Sequence, residues 1–352
     1  MIRVAHLLPT MEIGGRERIV SDLCRTAPAF GIDPVLITYD LPAPGSTLIE
    51  TPGVPAIALD RRDPAFREEL RASLARDHID VLHAQGHVSA ALAAGALDGV
   101  PMLATMHVAL GSGWRWLLPV VRGLRAVDRL TAVSEDLARR YGRLAGRPIE
   151  VIPTGVDLAR FSPAPARRDP AMPFTIGIAA RLHPVKRLED AITAIRLLAG
   201  RGLRCRLVIA GEGPRHAHLA ALAEGLDVAL LGAVEEMPAF LHSLDAFLLP
   251  SDHEGTPAAL LEAMATGLPC IATRVGGMPA LLGDAGLLVP RRDPSAIARA
   301  IEHLMADTGV RECLGRRAVE QARHHSLNRQ AEAYAALYHA SKSCRSSTGV
   351  GT

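Results

Sequence analysis

The sequence has almost no lysine: of its 39 basic residues only Lys186 and Lys342 are lysine, and the remainder are arginine. Aromatics are scarce at 3%, and the formal net charge is only +2. Neither a long basic stripe nor interleaved aromatics are present, which argues against nucleic acid as a partner. The five cysteines (Cys24, Cys205, Cys270, Cys313 and Cys344) are odd in number and scattered, with no pair at metal-ligand spacing. That excludes a disulfide framework and reads as buried free thiols in a reducing cytosol. No apolar run approaches the roughly 18 residues of a spanning helix. The first residues, Met1 to Gly15, lack a charged leader and a small-residue cleavage site, so they read as a first strand and not a signal peptide. A cytoplasmic chain is expected, at most peripheral on a membrane.

What is present is alternation. Short apolar runs at 2–8, 34–38, 54–59, 81–84, 101–106, 130–133 and 150–152 are separated by helix-like stretches such as 16–27, 66–76 and 135–144. Ile, Val and Leu fill both faces of these runs, as a parallel sheet covered on both sides requires. Residues 161–173 then carry four prolines, which reads as a linker. A second alternating series follows at 174–179, 205–210, 229–231, 246–249, 270–272 and 286–289, and the last fifty or so residues are helical in pattern. The expected fold is α/β, with two Rossmann-like doubly wound domains at 1–160 and 174–325 and a terminal helical stretch, 326–352. In such folds ligands sit beyond the carboxyl ends of the strands.

The densest chemistry lies in Ser251-Asp-His-Glu254-Gly255-Thr256-Pro257, which runs on to Glu262 and Gly267. Thr256 and Pro257 read as the N-cap and first position of a helix following strand 246–249. Its first-turn amides then suit a phosphate. Glu262 falls among Leu260, Leu261, Ala263 and Met264, where a carboxylate must find hydrogen-bond donors such as sugar hydroxyls. Either glutamate alone reads as a surface residue; the whole string does not.

A second string, Arg181-Leu-His-Pro-Val-Lys186, follows strand 174–179 and holds one of the two lysines. Arg181 can grip a diphosphate through its planar fork and Lys186 as a point charge. Gly14 and Gly15 stand at the first strand–helix turn, where a backbone can approach a ligand closely. His107 follows strand 101–106, with His83 and His87 as weaker candidates of the same kind.

Together these strings resemble glycosyltransferase family four, the retaining enzymes of the GT-B fold. The resemblance covers nearly the whole chain and is carried by several stretches. They are Gly14-Gly15, Val133-Ser134, Val151-Ile-Pro-Thr-Gly-Val-Asp157, Arg181 with Lys186, Ala210-Gly-Glu-Gly-Pro214, the pair Glu254-x7-Glu262, and Gly276-Gly277. It implies a nucleotide-diphosphate sugar donor held by Arg181, Lys186, Gly255, Thr256 and Pro257, with Glu262 on the ribose and Glu254 by the transferred hexose. It further implies that the Gly14-Gly15 loop closes over the phosphates and that His107 lines the junction with the acceptor. The first domain would be the acceptor side, the second the donor side, and the terminal helix would cross back onto the first domain. A glycan, a lipid-linked sugar or a small molecule would be the acceptor.

Three positions depart from the family's pattern. Thr154 replaces the Asn of P-N-G-V-D, Ala280 stands where a Glu is common after Gly-Gly-x-Pro, and Gln85 takes the second place of an H-x-H that begins at His83. None touches the diphosphate grip. No D-x-D string occurs, so neither a metal nor another cofactor is needed to explain charge neutralisation. A nucleotide-sugar epimerase on the same fold, or a non-catalytic binder, stays open as an alternative. Finally, residues 111–129 hold both tryptophans, Trp114 and Trp116, among leucines, valines and arginines. That is the composition of an interfacial membrane contact as well as of an ordinary packed helix.

Overall fold

The computed structural model describes residues 1–110, 117–163 and 172–346, the last three as backbone only. Each alternating series folds into its own parallel sheet. The first joins β1 (Ile2–Leu8), β2 (Ile32–Thr38), β3 (Ala56–Ala58), β4 (Val81–Gln85), β5 (Met102–Met106), β6 (Arg129–Ala132) and β7 (Glu150–Val151) in the order β3-β2-β1-β4-β5-β6-β7. The second joins β8 (Phe174–Ala179), β9 (Cys205–Ala210), β10 (Val228–Gly232), β11 (Ala246–Leu249), β12 (Cys270–Thr273) and β13 (Gly286–Val289) as β10-β9-β8-β11-β12-β13. Both orders reverse direction once, between β1 and β4 and between β8 and β11. Two Rossmann-like doubly wound sheets result.

Each sheet buries both faces. On β1, Ala5 and Leu7 join one apolar cluster and Ile2 and Val4 another. On β8, Ile176 and Ile178 face one way and Ala179 the other. In the first unit the helices are α1 (Gly15–Thr26), α2 (Phe66–Arg76), α3 (His87–Ala93), α4 (Leu117–Ala126) and α5 (Glu135–Ala145). Local chemistry sets their ends: the Ser134 hydroxyl accepts from Leu137 N–H to open α5, and Gly146 in the left-handed region closes it. The second unit contributes α6 (Leu188–Gly200), α7 (His216–Ala223), α8 (Met237–His242), α9 (Ala258–Ala265), α10 (Met278–Leu282), α11 (Pro294–Ala306) and α12 (Thr308–Arg323).

The last helix, α13 (Leu327–Ser346), belongs to the first unit, which otherwise runs from Met1 to Gly155; Val156–Ser326 form the second. Tyr334 and Tyr338 of α13 are buried against Ile2, Val4 and Val81. Their hydroxyls do more than fill space. Tyr338 bonds His83 Nδ1 at 2.7 Å, and Tyr334 bonds Thr105 Oγ1 at 3.0 Å. Cys24, Cys205 and Cys270 are free and buried, and burial pushes the Cys24 thiol up to about 12. Among the described residues no helix is long and apolar enough to cross a membrane.

Candidate active site

In the second unit the chain leaves β8 and β11, the neighbouring strands at which the order reverses, in two loops that are stitched together. Lys186 ends a short 3₁₀ turn, Pro184–Lys186, opened by His183, whose Nδ1 accepts from Val185 N–H. Arg187 follows in the left-handed region (φ 52°), with its guanidinium on both oxygens of Asp190 at 3.0 and 2.7 Å. From the other loop, Asp252 N–H donates to Val185 C=O at 2.8 Å. The Asp252 carboxylate takes three bonds from Arg292, which hold it below the usual carboxylate range against the opposing effect of burial.

This stitching brings Lys186 Nζ to 2.6 Å from Glu254 Oε1, the same oxygen that accepts from Ser251 Oγ at 2.6 Å. Ser251 is fully buried, and its carbonyl accepts from Thr273 Oγ1 at 2.6 Å. A third loop, after β12, presses on the Glu254 backbone. Gly277 N–H donates to Gly255 C=O at 3.0 Å, and a Cβ on Gly276 (φ +54°) would lie 1.8 Å from Glu254 C=O. Only glycine fits there.

Glu262 lies in the second turn of α9 and is 6% exposed, with Leu260, Leu261, Ala263 and Met264 all buried beside it. The start of α9 differs from the sequence expectation. Pro257 (φ −73°, ψ 117°) is the N-cap and Ala258 the first helical residue, so Thr256 stands one place outside. The carbonyl of Pro257 accepts from Leu261 N–H, closing the first turn, and the residue before a proline is held out of the helical region. Thr256 is half-buried, and Gly255 and Pro257 are buried.

Arg181 is exposed just past β8. Its backbone is backed by the loop after β9. Leu182 N–H donates to Glu212 C=O at 2.8 Å, and a Cβ on Gly211 (φ +139°) would lie 2.1 Å from Ala180 C=O.

In the first unit Gly14 is the N-cap of α1 in extended backbone, and a Cβ there would lie 2.4 Å from Glu17 Oε2. The Glu17 carboxylate, 8% exposed and paired with Arg16, sits over the start of α1. Gly15 has open space around its Cα. His107, just beyond β5, is buried, with Nε2 at 2.8 Å from Gln85 Oε1. Burial pushes its pKa down to about 3, and the positive charge of Arg16 adds to this.

His83 is not a ligand-facing residue. It is fully buried mid-strand, with Nδ1 on Tyr338 and Nε2 on Thr105 Oγ1 at 2.7 Å, because its position in β4 points it at α13. His87 opens α3 half-buried, with Nδ1 2.8 Å from Tyr141 Oη. Among the described residues no three His, Cys, Asp or Glu are grouped to hold a metal ion.

Family comparison decides what this arrangement belongs to. Residues 13–160 match the model described as Glycosyltransferase Family 4, and residues 173–307 the one described as Glycosyl transferases group 1. A putative glycosyltransferase of Bacillus subtilis, EpsF, is 30% identical over 300 residues, 76% of this chain and 78% of its own.

The chain belongs to glycosyltransferase family four.

Another relative, the putative colanic acid biosynthesis glycosyltransferase WcaL of Escherichia coli, is 37% identical over 221 residues, 57% of this chain. The chain spans about half the length of that relative, 53%. Among solved structures, sucrose-phosphate synthase from Thermosynechococcus elongatus superposes with a TM-score of 0.84 at 20% identity, over 98% of this chain and 100% of that one. Anabaena HepE in complex with UDP-glucose gives 0.83 at 18%, over 97% and 100%. The fold is GT-B.

For this family member, sequence reading missed the props of the site: Ser251, Asp252 with Arg292, and the close approach of Gly276 to Glu254. Gly276-Gly277 was legible as a motif, but what it touches depends on two loops from different strands. Of the departures from the family's pattern, Thr154 is fully buried next to Gly155, whose N–H donates to Gln330 Oε1 at 3.1 Å. Ala280 lies within α10, and Gln85 sits between His107 and His6.

Proposed function

We propose that this glycosyltransferase moves a hexose, with retention of anomeric configuration, from a nucleoside-diphosphate sugar to a glycan, lipid-linked or small-molecule acceptor. The observation that carries this reading is the Lys186–Glu254 pair at 2.6 Å, set at the reversal point of the second sheet immediately before α9. HepE, which shares the fold, is a complex with UDP-glucose in one structure and with UDP in another.

In this reading Lys186 gives one of its three donors to Glu254 and two to the donor diphosphate. Arg181 and the first-turn amides of α9, with Gly255, Thr256 and Pro257 at its approach, complete the grip. Glu262 takes the ribose hydroxyls, and Glu254 meets the transferred sugar. As the anomeric C–O bond breaks, charge grows on the leaving phosphate oxygen, and fixed positive groups there lower the barrier. Arg181, Lys186 and the amides supply that charge without a metal. The acceptor oxygen bonds to the anomeric carbon on the face from which the phosphate departs and gives its proton to the leaving phosphate oxygen, which retains the configuration. NMR of the first-formed product tests this: an α-linked donor must give an α-linked product, and a β-linked product overturns it.

Glu262→Gln should weaken binding of free nucleoside diphosphate, because charge-assisted hydrogen bonds to ribose are lost. Calorimetry with UDP and GDP measures this, and affinity equal to that of the native protein would sink the assignment.

The protein also works, in this reading, at the cytoplasmic face of a membrane, through residues 111–129. Trp114 and Trp116 lie outside the described residues. On α4, Val120 and Leu124 turn inward, while Leu117 and Leu118 are 43% and 76% exposed and Arg122 and Arg125 are exposed, as is Arg129 at the start of β6. Exposed leucines beside arginines suit an anionic surface, each arginine adding about 1 kcal/mol near it. Flotation with anionic liposomes at low salt should carry the protein upward, and Leu117→Ser with Leu118→Ser should abolish this. No flotation, or flotation indifferent to the leucines, removes the idea.

A further inference from the structure

Among the described residues four other than glycine adopt left-handed backbone, and two of them, Arg187 and Arg292, stand around the candidate site. Arg292 (φ 57°) lies in the short connection from β13 to α11, where glycine or asparagine fits with least strain. An arginine held in that conformation points to a use for its side chain. Its guanidinium gives Asp252 three bonds, from Nε to both carboxylate oxygens at 3.0 and 3.1 Å and from Nη2 to one at 2.7 Å. Asp252 is 7% exposed, whereas the Arg292 side chain is 62% exposed.

The clasp has a fixed end. Asp293 caps α11 by accepting from Ala296 N–H at 2.9 Å, and α11 buries Ile297, Ala298, Ile301 and Leu304 in the core. Arg292 therefore projects from an anchored helix start. At the other end, Asp252 N–H donates to Val185 C=O at 2.8 Å, one residue before Lys186. The loop of Asp252 also presents Glu254, whose Oε1 meets Lys186 Nζ at 2.6 Å. Three strand exits thus meet at one aspartate: its side chain answers the loop after β13, and its backbone answers the loop after β8. Arg187 and Arg291 also act on the carboxylate, and Asp190 acts on both Arg187 and Arg292. The Arg292 bonds hold Asp252 below the usual carboxylate range although burial opposes them, so the clasp is charged at neutral pH.

We propose that Arg292 is a positioning residue that, from a strained backbone and through Asp252, fixes the turn from which Lys186 reaches the donor. This rests on the reading of Lys186 as a diphosphate clamp given above. An ion pair with so exposed an arginine adds little stability, and left-handed backbone subtracts from it. Stability therefore gives no reason for arginine at this place. Position gives one. The lysine stem is flexible, so its reach is set by where the turn is pinned, at the Val185 carbonyl. Without the clasp Asp252 is free to swing, and the turn drifts from Glu254.

Arg292→Gly separates position from stability, because glycine suits the turn. Its melting temperature should equal or exceed that of the native protein, while kcat falls about 10-fold to 10²-fold. Whichever UDP- or GDP-sugar supports turnover serves as donor. Arg292→Asn, also at ease in left-handed backbone, should behave alike, which removes the flexibility of glycine as the cause. Calorimetric affinity for free UDP or GDP should change little, since Glu262 and the α9 amides are untouched. Hydrogen exchange read by mass spectrometry should speed up at the Asp252 amide. Adding Arg292→Gly to Lys186→Ala should cost no further rate, because both act through one ammonium.

Native kcat in folded Arg292→Gly, with Lys186→Ala slow, overturns the proposal and leaves the clamp standing. Lys186→Ala at the native rate overturns both. A further loss in the double variant, a clear fall in melting temperature, or unchanged exchange at Asp252 makes the role of Arg292 merely structural and overturns the proposal.

Discussion

Replacing Lys186 by alanine should leave a folded protein that turns over its donor about 10²–10³ times more slowly, the cost of losing one preorganised charge-stabilising donor. The turn that carries Lys186 is fixed by backbone and by neighbours, namely the His183 cap, the Arg187–Asp190 pair and the Asp252 N–H on Val185 C=O. None of these needs the ammonium. Glu254 keeps its bond from Ser251 Oγ at 2.6 Å, so the carboxylate is not stranded. Melting temperature should therefore move little while the rate collapses. Lys186→Arg should not rescue it, because a planar fork cannot present donors to Glu254 and to phosphate oxygens in the geometry of a compact ammonium. Near-normal turnover in folded Lys186→Ala refutes the clamp.

Gly276→Ala is expected to be comparably damaging, by a different route. The new methyl would sit 1.8 Å from the Glu254 carbonyl, closer than any contact tolerates, so the segment from Glu254 to Gly255 must shift. A displacement of about 1 Å at a reacting centre costs on the order of 10² in rate. Gly283→Ala supplies the comparison. Gly283 also has positive φ, +53°, but open space where its Cβ would go. Both variants carry backbone strain, and only Gly276→Ala moves the site. Both should melt earlier, and only Gly276→Ala should lose donor affinity and rate together. Equal activity in the two variants would show that the approach of Gly276 to Glu254 has no bearing on catalysis.

The strands were legible nearly to the residue: 2–8, 174–179, 205–210, 246–249 and 286–289 read from the sequence are the observed β1, β8, β9, β11 and β13. Runs filled on both faces by Ile, Val and Leu admit little else. Strand order was not legible, since it depends on which run pairs with which across long crossovers. Strand order puts β8 beside β11, and so Lys186 beside Glu254. The start of α9 was misplaced by one residue because Thr-Pro is also a sound sequence signal for an N-cap followed by a first turn. His83 and His107 look alike in sequence, each at or near a strand's end. Register separates them: His83 pairs with His6 and Leu103 inside the sheet, while His107 lies past the last ladder partner of β5. The bridge of Gln85 to His6 depends on the same register and left no trace in the linear sequence.

The place of α13 in the first unit has a consequence for how the chain is made. The hydroxyls that answer His83 and Thr105 belong to Tyr334 and Tyr338, more than two hundred residues downstream. As the polypeptide emerges from the ribosome, residues 1–155 arrive first but lack the helix that closes their core. The second unit, Val156–Ser326, is an unbroken stretch and can settle entirely while its predecessor waits. The usual order of cotranslational folding, N-terminal part first, cannot be completed for the first unit before residues 327–346 are made. Until the last turns of α13 are synthesised, a polar seam of imidazole and hydroxyl groups stays open to water at the heart of the earlier half. A nascent chain stalled near its end would be most exposed to chaperones and proteases in the part that was translated first.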